Sequence, residues 1–338
     1  MIRIALMISI LFKSIIAFSQ HEESVDSLNY YIKKKDKSKI IEYYEKLIKS
    51  NPRATGYILY KGAYLYNFGM YKEAIVEFSK AIEINPNLID AYVRRANTYM
   101  ALLEYDSSII DFTRAVGKHT YQDSIIYKYR AVANFYIGNY QSVITDCDSA
   151  LWYNAFDKEI YSVRASAKMK IKDFKGALAD FNSAIQIDKD YLIAIQNRIF
   201  LYIENGNINI ANIEIDDYIK TRPKDLSSNF FLGHAYFNLK NYEKAIKYLD
   251  ACKGKLNTLE FHKIRGLTNY YLVNDYEAIK DLEITLKFNL TNSDKAMMYY
   301  AIGVCKNNIQ PQSGCTDLIK SLNTGVKIAK QEYDNECK

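Results

Sequence analysis

The segment from Thr55 to Pro86 decides the fold, and it reads TGYILYKGAYLYNFGMYKEAIVEFSKAIEINP. In each half, apolar or small residues recur at spacings of three and four, which predicts two helices that each bury one face. The residues of these two faces are Ile58, Gly62, Leu65, Ala74, Phe78 and Ala81. Small residues such as Gly62 and Ala74 let the two backbones approach closely, and larger residues fill the remaining space. One such helix pair cannot bury both of its sides, so it needs a neighbour.

Most of the remaining chain repeats this unit. Later copies begin at Ile89, Ser124, Lys158, Leu192 and Leu259, with a shorter ninth copy from about Ser293. The offsets resemble the tetratricopeptide repeat, which has a period of about 34 residues and a helix–turn–helix pattern. The resemblance implies an all-α solenoid of antiparallel helix pairs, with about eight to nine units, that forms a right-handed superhelix.

Composition agrees with such a fold, since 49% of the 338 residues are hydrophobic and only 13 are Gly and 4 are Pro. We expect a signal segment at residues 1–19, a degenerate capping repeat at 20–52, the solenoid at 53–323 and a capping helix at 324–338. The first unit carries the polar residues that an exposed terminal repeat needs. The net charge of +6 is small and scattered along the chain, so nucleic acid is not an expected partner.

The N-terminus has the order of a secretory signal. Arg3 precedes the apolar run Ile4–Phe12, and Ala17-Phe18-Ser19 provides a small-x-small cleavage site ahead of Gln20. We expect an exported protein that is periplasmic, outer-membrane-associated or secreted, without a membrane span after cleavage. An uncleaved anchor is the alternative, although Lys13 interrupts the run and a membrane span needs about 20 apolar residues.

A charge pattern recurs once per unit. The residue before the small position of the first helix is basic, and an acidic residue follows sixteen positions later on the second helix. The pairs are Lys61 and Glu77, Arg95 and Asp111, Arg130 and Asp146, Arg164 and Asp180, Arg198 and Glu214, and Arg265 and Asp281. In the seventh unit both positions change together, to Leu232 and Tyr248. This joint loss favours structural ion pairs over an anion-binding row of arginines.

The five cysteines fall into two groups. Cys147 and Cys252 occupy helix-core positions and are expected to stay reduced. Cys315 and Cys337 are expected to form a disulfide that ties the capping helix to the ninth unit, with Cys305 as the alternative partner for either. The segment 313–317 reads SGCTD, which resembles the last repeat of exported repeat proteins of the Bacteroidetes type.

Catalytic motifs are missing from the sequence. The four histidines stand at positions 21, 119, 234 and 262, and no two of them have metal-ligand or triad spacing. The sequence contains no H-E-x-x-H, C-x-x-C, G-x-S-x-G or glycine-rich phosphate loop. We therefore expect no enzyme activity, no cofactor and no metal.

The family resemblance implies that first helices line the concave face of the solenoid. The first-helix offsets that point there select Val93, Asn97, Met100, Lys128, Phe135, Tyr136, Phe200, Ile203, Phe230, His234, Phe237, Lys263, Tyr270 and Tyr271. Many of these are aromatic, which suits an extended or helical peptide. Alternatively, several of the aromatic residues pack against the neighbouring first helix.

The family's carboxylate clamp of Lys, Asn and Arg residues is matched only in part. Arg94, Asn97 and Lys128 occupy comparable positions, but Leu59 and Ala63 stand where the second unit would need Lys and Asn. The leading hypothesis is a non-catalytic protein–protein interaction scaffold of the bacterial cell envelope that holds a peptide or protein partner in this groove. The alternatives are an architectural component that binds through its convex face or ends, and an enzyme with a site in the groove.

Overall fold

The computed structural model describes residue 28 and residues 30–117, 123–222 and 224–337. The predicted signal segment, the start of the first unit, the junction at 118–122 and Pro223 lie outside the described residues. Residues 30–34 are helical. The bounded helices that follow are α1 (Lys37–Ser50), α2 (Thr55–Asn67), α3 (Tyr71–Ile84), α4 (Ile89–Ala101), α5 (Tyr105–Ala115), α6 (Asp123–Tyr136), α7 (Tyr140–Tyr153), α8 (Lys158–Lys170), α9 (Phe174–Ile187), α10 (Leu192–Glu204), α11 (Ile208–Thr221), α12 (Leu226–Asn238), α13 (Tyr242–Asp250), α14 (Leu259–Tyr271), α15 (Asp275–Thr285), α16 (Asn292–Ile309), α17 (Cys315–Asn323) and α18 (Ile328–Glu336).

These described segments contain helices and turns and no β-strand, which confirms the predicted all-α solenoid class. The chain divides into an N-terminal body that ends at Asp190 and a C-terminal body that begins at Tyr191. Within each body, successive helices pack against each other, and first helices also contact first helices of the next unit. Within each described body, these contacts link neighbouring units, as in other repeat folds.

Helix pairs within a unit approach closely where the first helix carries glycine. A Cβ atom added to Gly62 would lie 2.5 Å from Cε1 of Phe78, and one added to Gly233 would lie 2.6 Å from Cγ of Leu249. The rings and branches of the second helix therefore fill the space that the missing side chain leaves. Phe78 is 1% exposed and Leu249 is fully buried, so this contact lies at the centre of the core in these two units.

The turn between the two helices of a unit places one residue in the left-handed region. Glycine occupies this position at Gly69, Gly138 and Gly206, with φ of 74°, 80° and 77°. Other units place a side chain there, at Leu103, Lys172, Lys240 and Val273, with φ of 62°, 63°, 57° and 58°. A Cβ atom strains this conformation, and a β-branched residue strains it most.

Ion pairs join the two helices of most units. The shortest distances between cation nitrogen and carboxylate oxygen are 3.2 Å for Lys61–Glu77, 2.7 Å for Arg95–Asp111, 2.6 Å for Arg130–Asp146, 2.6 Å for Arg164–Asp180 and 3.0 Å for Arg198–Glu214, and Arg265 contacts Asp281 in the same way. The pairs are shielded from solvent; for example, the side chains of Arg164 and Asp180 are 17% and 5% exposed. We call this row of pairs the ion-pair ladder.

The ladder cations also reach the second helix of the preceding unit. Arg95 Nη1 donates to Ser79 Oγ over 2.8 Å, and Arg164 Nη1 donates to Asp148 Oδ1 over 2.5 Å. The same kind of contact joins Lys61 to Glu45, Arg130 to Thr113 and Arg265 to Asp250. Each of these cations therefore ties three helices from two units.

The C-terminal end is held by a covalent bond. Cys315 at the start of α17 and Cys337 just after α18 form a disulfide, with their Cα atoms 5.7 Å apart. Cys305 is a free thiol that lies buried in α16. Burial raises the pKa of Cys305 to about 12, so its thiol stays protonated. The bond thus fastens the last helix to the ninth unit.

Candidate binding groove

A groove crosses three consecutive first helices of the N-terminal body. It has a volume of about 600 Å³ and runs over α2, α4 and α6, with the ring of Phe78 at its floor. The first-helix residues that line it are Ala63, Tyr66, Asn67, Arg94, Asn97, Met100, Ala101, Tyr129 and Val132. Small residues at Ala63 and Ala101 leave the space open, because neither extends beyond its Cβ atom.

The groove combines an apolar floor with hydrogen-bonding groups at its sides. Within the described residues, the side-chain amides of Asn67 and Asn97 have no hydrogen-bond partner, so they are available to a ligand. Arg94 uses its Nε atom to donate to Asp90 over 2.8 Å and keeps further guanidinium donors. Tyr129 is 39% exposed and adds an aromatic face with a hydroxyl. Amides, a guanidinium and tyrosines are the groups that recognise peptide main chains and aromatic or acidic side chains.

Of the N-terminal residues predicted for partner binding, Asn97 and Met100 lie in this groove, and Arg94 of the partial clamp lies beside them. Lys128 lies elsewhere. Its ammonium is 3.2 Å from Asp157 and 2.8 Å from Glu159, so its charge is already compensated by α8 and the residue before it. A clamp that uses Lys128 as a free cation is thus absent from the described structure.

Phe135 and Tyr136 take different positions at the end of α6. Phe135 is half-buried, with its ring centroid 5.5 Å from that of Tyr140, so it packs within its own unit. Tyr136 is 63% exposed and stacks on Tyr105 at 4.7 Å. Tyr136 is therefore the better contact for a partner.

Four residues that line the groove were not predicted from the sequence: Tyr66, Asn67, Tyr129 and Val132. Arg94 and Tyr129 occupy the same position of their units, three residues before Asn97 and Val132. The first-helix offsets that predicted the concave face do not include the position of Arg94 and Tyr129. A comparison of Arg94 with its equivalent in the next unit could have identified Tyr129.

The C-terminal body brings three predicted groove residues together. The ring of His234 lies 4.9 Å from Phe200 and 6.3 Å from Phe230, measured between centroids. Phe200 also contacts Phe231 at 5.4 Å, and Phe230 contacts Phe261 at 6.3 Å. Phe200, Phe230 and His234 are half-buried, so they pack against neighbouring first helices while keeping part of their surface exposed.

His234 is the titratable member of this cluster. Burial among aromatic rings lowers its pKa, because the imidazolium ion loses hydration there, and the charge of Glu260 opposes this effect only in part. The neutral imidazole is therefore the resting form at neutral pH.

A second aromatic group contains Phe237, Tyr270 and Tyr271. Tyr271 stacks on Tyr242 at 4.5 Å, contacts Tyr270 at 5.2 Å, and is 51% exposed. Phe237 is half-buried, with its centroid 5.9 Å from Tyr242. Burial raises the pKa of Tyr270, so its hydroxyl stays protonated. Of the three, Tyr271 is the most accessible to a partner.

The described residues contain no group of three or more His, Cys, Asp and Glu side chains arranged to hold a metal ion. His262 instead packs inside its unit, where Nδ1 lies 2.8 Å from Asp281 Oδ1 of the ladder. Among the described helices, none has both the length and the apolar character needed to cross a bilayer.

Comparison with known families identifies the repeats. Family models described as a TPR repeat and a tetratricopeptide repeat match residues 64–102, 27–53 and 226–254. The chain contains tetratricopeptide repeats. It is 25% identical over 169 residues to RNA polymerase II-associated protein 3 of Xenopus laevis, which covers 45% of this chain and 26% of that protein. The chain spans less than half the length of the curated relatives that it matches.

Solved structures share the tetratricopeptide-repeat fold. A tetratricopeptide repeat protein from Parabacteroides merdae has a TM-score of 0.53 and 14% identity, over 86% of this chain and 100% of that one. The APC/C hetero-tetramer Cut9–Hcn1 has a TM-score of 0.59 and 15% identity, over 89% of this chain and 59% of that one. At such identities the likeness shows the fold alone. Proteins built from these repeats are in general interaction scaffolds with extended binding surfaces.

Proposed function

We propose that this tetratricopeptide-repeat protein is a non-catalytic interaction scaffold of the bacterial cell envelope that binds a peptide segment of a protein partner. The observation that carries the proposal is the groove over α2, α4 and α6, which is open and lined by three consecutive first helices. Its apolar floor and its unengaged amides at Asn67 and Asn97 suit an extended main chain with apolar side chains.

The dimensions of the groove limit the length of the bound segment. Adjacent packed helices lie about 8–10 Å apart, so three first helices extend over roughly 20 Å. An extended chain advances about 3.3 Å per residue, so the groove accommodates about six residues. The described lining contains no His, Lys, Asp or Glu, so the hydroxyls of Tyr66 and Tyr129 have no lining base to activate them for acyl or phosphoryl transfer.

Three features of the chain support a location in the envelope. Residues 1–19 have the pattern of a secretory signal that is cleaved before Gln20. The disulfide between Cys315 and Cys337 suits an oxidising compartment, since cytosolic proteins are kept reduced. With the SGCTD segment at 313–317, these features support an exported protein of the Bacteroidetes type.

Site-specific photo-crosslinking in the native envelope tests the groove. A photoreactive residue replaces Tyr129, which lines the groove, and in a matched variant it replaces Ile110, which is 63% exposed on the second helix α5. We expect a discrete crosslinked partner from position 129 and none from position 110. Equal crosslinking from both positions, or crosslinking from position 110 alone, would show that the partner contacts the second helices. That result would favour an architectural role.

Two substitutions combined with this crosslinking locate the contact more closely. The crosslink from position 129 should weaken when Asn97 is replaced by Ala, because the amide that holds the partner's main chain is lost. The exposed Tyr136→Ser variant should weaken it only if the partner extends beyond the groove. Circular dichroism of each variant shows whether the fold is intact.

Cell fractionation followed by N-terminal sequencing tests the envelope location. We expect the protein in the envelope or medium, with Gln20 as its first residue. Recovery of Met1 from the membrane fraction would favour the uncleaved anchor, and recovery from the cytosol would contradict export.

A further inference from the structure

The seventh unit has a pocket where the other units have the ion-pair ladder. Leu232 and Tyr248 stand at the ladder positions, and both line a pocket of about 240 Å³ between α11, α12 and α13. In the third unit, Arg95 reaches from this position to Asp111 of its own second helix and to Ser79 on the second helix of the preceding unit. Leu232 is shorter and uncharged, so it makes neither contact in the seventh unit.

Two lysines line this pocket. Lys224 and Lys247 lie there beside Arg222, which has an interaction of its own, and the lining contains no acidic residue. Within the described residues, neither lysine ammonium has an acidic partner within 4.0 Å. The lysines therefore keep their charge available to a ligand.

Two acids close to these lysines along the chain already have partners of their own. Asp225, next to Lys224, accepts the backbone N–H of Ser228 over 2.8 Å and caps α12. Asp250, one turn after Lys247, accepts from Arg265 Nε over 2.9 Å. The loss of the ladder acid at position 248 thus leaves the pocket without its usual counter-charge.

The wall of the pocket is fixed by buried hydroxyls. Tyr218 and Ser228 are each 2% exposed, and their hydroxyl oxygens are 3.1 Å apart. Gln196 donates to the Tyr218 hydroxyl over 2.8 Å, which holds the ring in place. The ring of Tyr248 stacks on Tyr236 at 5.7 Å. Hydroxyls, lysines, an aromatic face and the apolar Leu232 therefore surround one small volume.

We propose that this pocket binds a small ligand that carries an oxyanion, a carboxylate or a phosphate, on a compact aromatic or apolar group. Lysine ammonium groups form strong hydrogen bonds to these anions, and the apolar wall takes the attached group. The volume lies below the roughly 300–1,000 Å³ of pockets for drug-sized ligands, so the occupant is a single terminal group. Such a group belongs to a free small molecule or to one side chain or chain end of a protein. None of these lining residues belongs to the groove of the N-terminal body, so the pocket is independent of the proposed peptide site.

Isothermal titration of the full-length mature protein with phenyl phosphate tests the proposal, with benzamide as the uncharged probe. We expect saturable binding of phenyl phosphate and none of benzamide. Lys224→Gln combined with Lys247→Gln should weaken binding at least about tenfold, because two charge-assisted hydrogen bonds are lost. The matched control is Lys280→Gln, which changes the equivalent lysine of the eighth unit, where the ladder acid Asp281 is present, and which should leave binding unchanged.

A second variant changes the wall of the pocket without removing the lysines. Leu232→Arg with Tyr248→Asp restores the ladder pair, removes the aromatic face and places a carboxylate beside Lys247. It should abolish binding of phenyl phosphate while the helical circular dichroism is retained. The proposal is overturned if no probe binds at millimolar concentration, or if Lys280→Gln weakens binding as much as the lysine pair does.

Two further probes distinguish the sources of the oxyanion. A short peptide with an internal phosphotyrosine should bind more tightly than phenyl phosphate if a protein side chain is the occupant. Weaker binding of that peptide indicates a free small molecule, because the added main chain then clashes at the pocket entrance. N-acetylphenylalanine compares a carboxylate with a phosphate. If it binds more tightly than phenyl phosphate, the oxyanion is a carboxylate.

Discussion

Gly62 shows how one absent side chain sets the distance between two helices. An added Cβ would lie 2.5 Å from Phe78, whereas an added Cβ at Gly56 of the same helix meets nothing within 4 Å. We expect Gly62→Ala to destabilise the protein by about 1–3 kcal/mol through overpacking. Gly56→Ala should be neutral or stabilise by up to about 1 kcal/mol, because alanine is the better helix former. Urea denaturation of both variants checks the difference, and equal effects would contradict close packing at Gly62.

His234 predicts a pH dependence of stability. Burial lowers its pKa in the folded state, so the unfolded chain binds a proton that the folded chain does not as pH falls through about 6.5. The free energy of unfolding should therefore decrease between about pH 7.5 and about pH 5.5. In His234→Gln this decrease should be smaller, as measured by urea midpoints across that range. Parallel curves for both proteins would show that His234 titrates as it does in the unfolded chain.

At this scale, part of the groove could be read from the sequence and part could not. Asn97 and Met100 line the groove as their offsets indicate. Lys128 does not remain free, because its partners Asp157 and Glu159 belong to the next unit. An ion pair between units depends on how the two units pack against each other. Residue spacing within one unit does not predict that packing.

The ion-pair ladder operates between helices, and its energetics can be measured there. Asp180 accepts hydrogen bonds from Arg164 and Lys168 and is 4% exposed. Asp180→Ala should cost about 3 kcal/mol, because Arg164 and Lys168, which are 17% and 18% exposed, lose their shared acceptor and Arg164 keeps only the exposed Asp148. Arg164→Leu with Asp180→Tyr, which copies the seventh unit, should cost less than the single change.

A double-mutant cycle with a matched control measures this coupling. The control is Arg94 and Asp90, the same residue types in an exposed pair at 2.8 Å, with side chains 40% and 51% exposed. The coupling energy there should stay below about 1 kcal/mol. Additive effects of the Arg164 and Asp180 changes would contradict an energetic role for the ladder.

The disulfide acts on the last helices. It closes a loop with a sequence separation of 22, and such loops stabilise by about 3 kcal/mol in the chain-entropy account. In Cys315→Ser, amide hydrogen exchange should accelerate in α17 and α18 and stay unchanged in α2 and α3. Cys337→Ser and the double variant should behave identically, since all three remove one bond. Thiol counting on the unreduced protein should find three free cysteines, and five would contradict the bond.

Across the whole molecule, the repeat frame accounts for the helices better than for the surface. Helices α2, α4, α8, α10 and α14 begin at the residues where their units begin, and α6 begins at Asp123, one residue before the expected Ser124. This agreement arises because each unit's core depends on residues within that unit. The placement of Tyr129 or Phe237 depends on the packing of neighbouring units, so sequence spacing alone does not determine it.

The left-handed turns repeat along the chain and predict an additive effect. Replacing Leu103, Lys172, Lys240 or Val273 by Gly relieves the Cβ strain but frees the unfolded chain, so each change should stabilise by about 0.5–1 kcal/mol. Val273→Gly should gain most, because valine is β-branched. The four changes should add, since they lie in separate units. Gly206→Ala at the same turn should destabilise, and thermal denaturation of the five variants checks both signs.

The contact between each ladder cation and the second helix of the preceding unit makes the stability of the solenoid depend on the order of its units. Arg164 reaches Asp148 of the unit before it, whereas Arg95 reaches the uncharged Ser79. A unit transplanted to another place in the chain would keep its own ion pair and meet a different neighbour. Versions of this solenoid with the units in another order should therefore differ in stability although they contain the same repeats. Part of the stability comes from contacts at each junction, which no single unit contains.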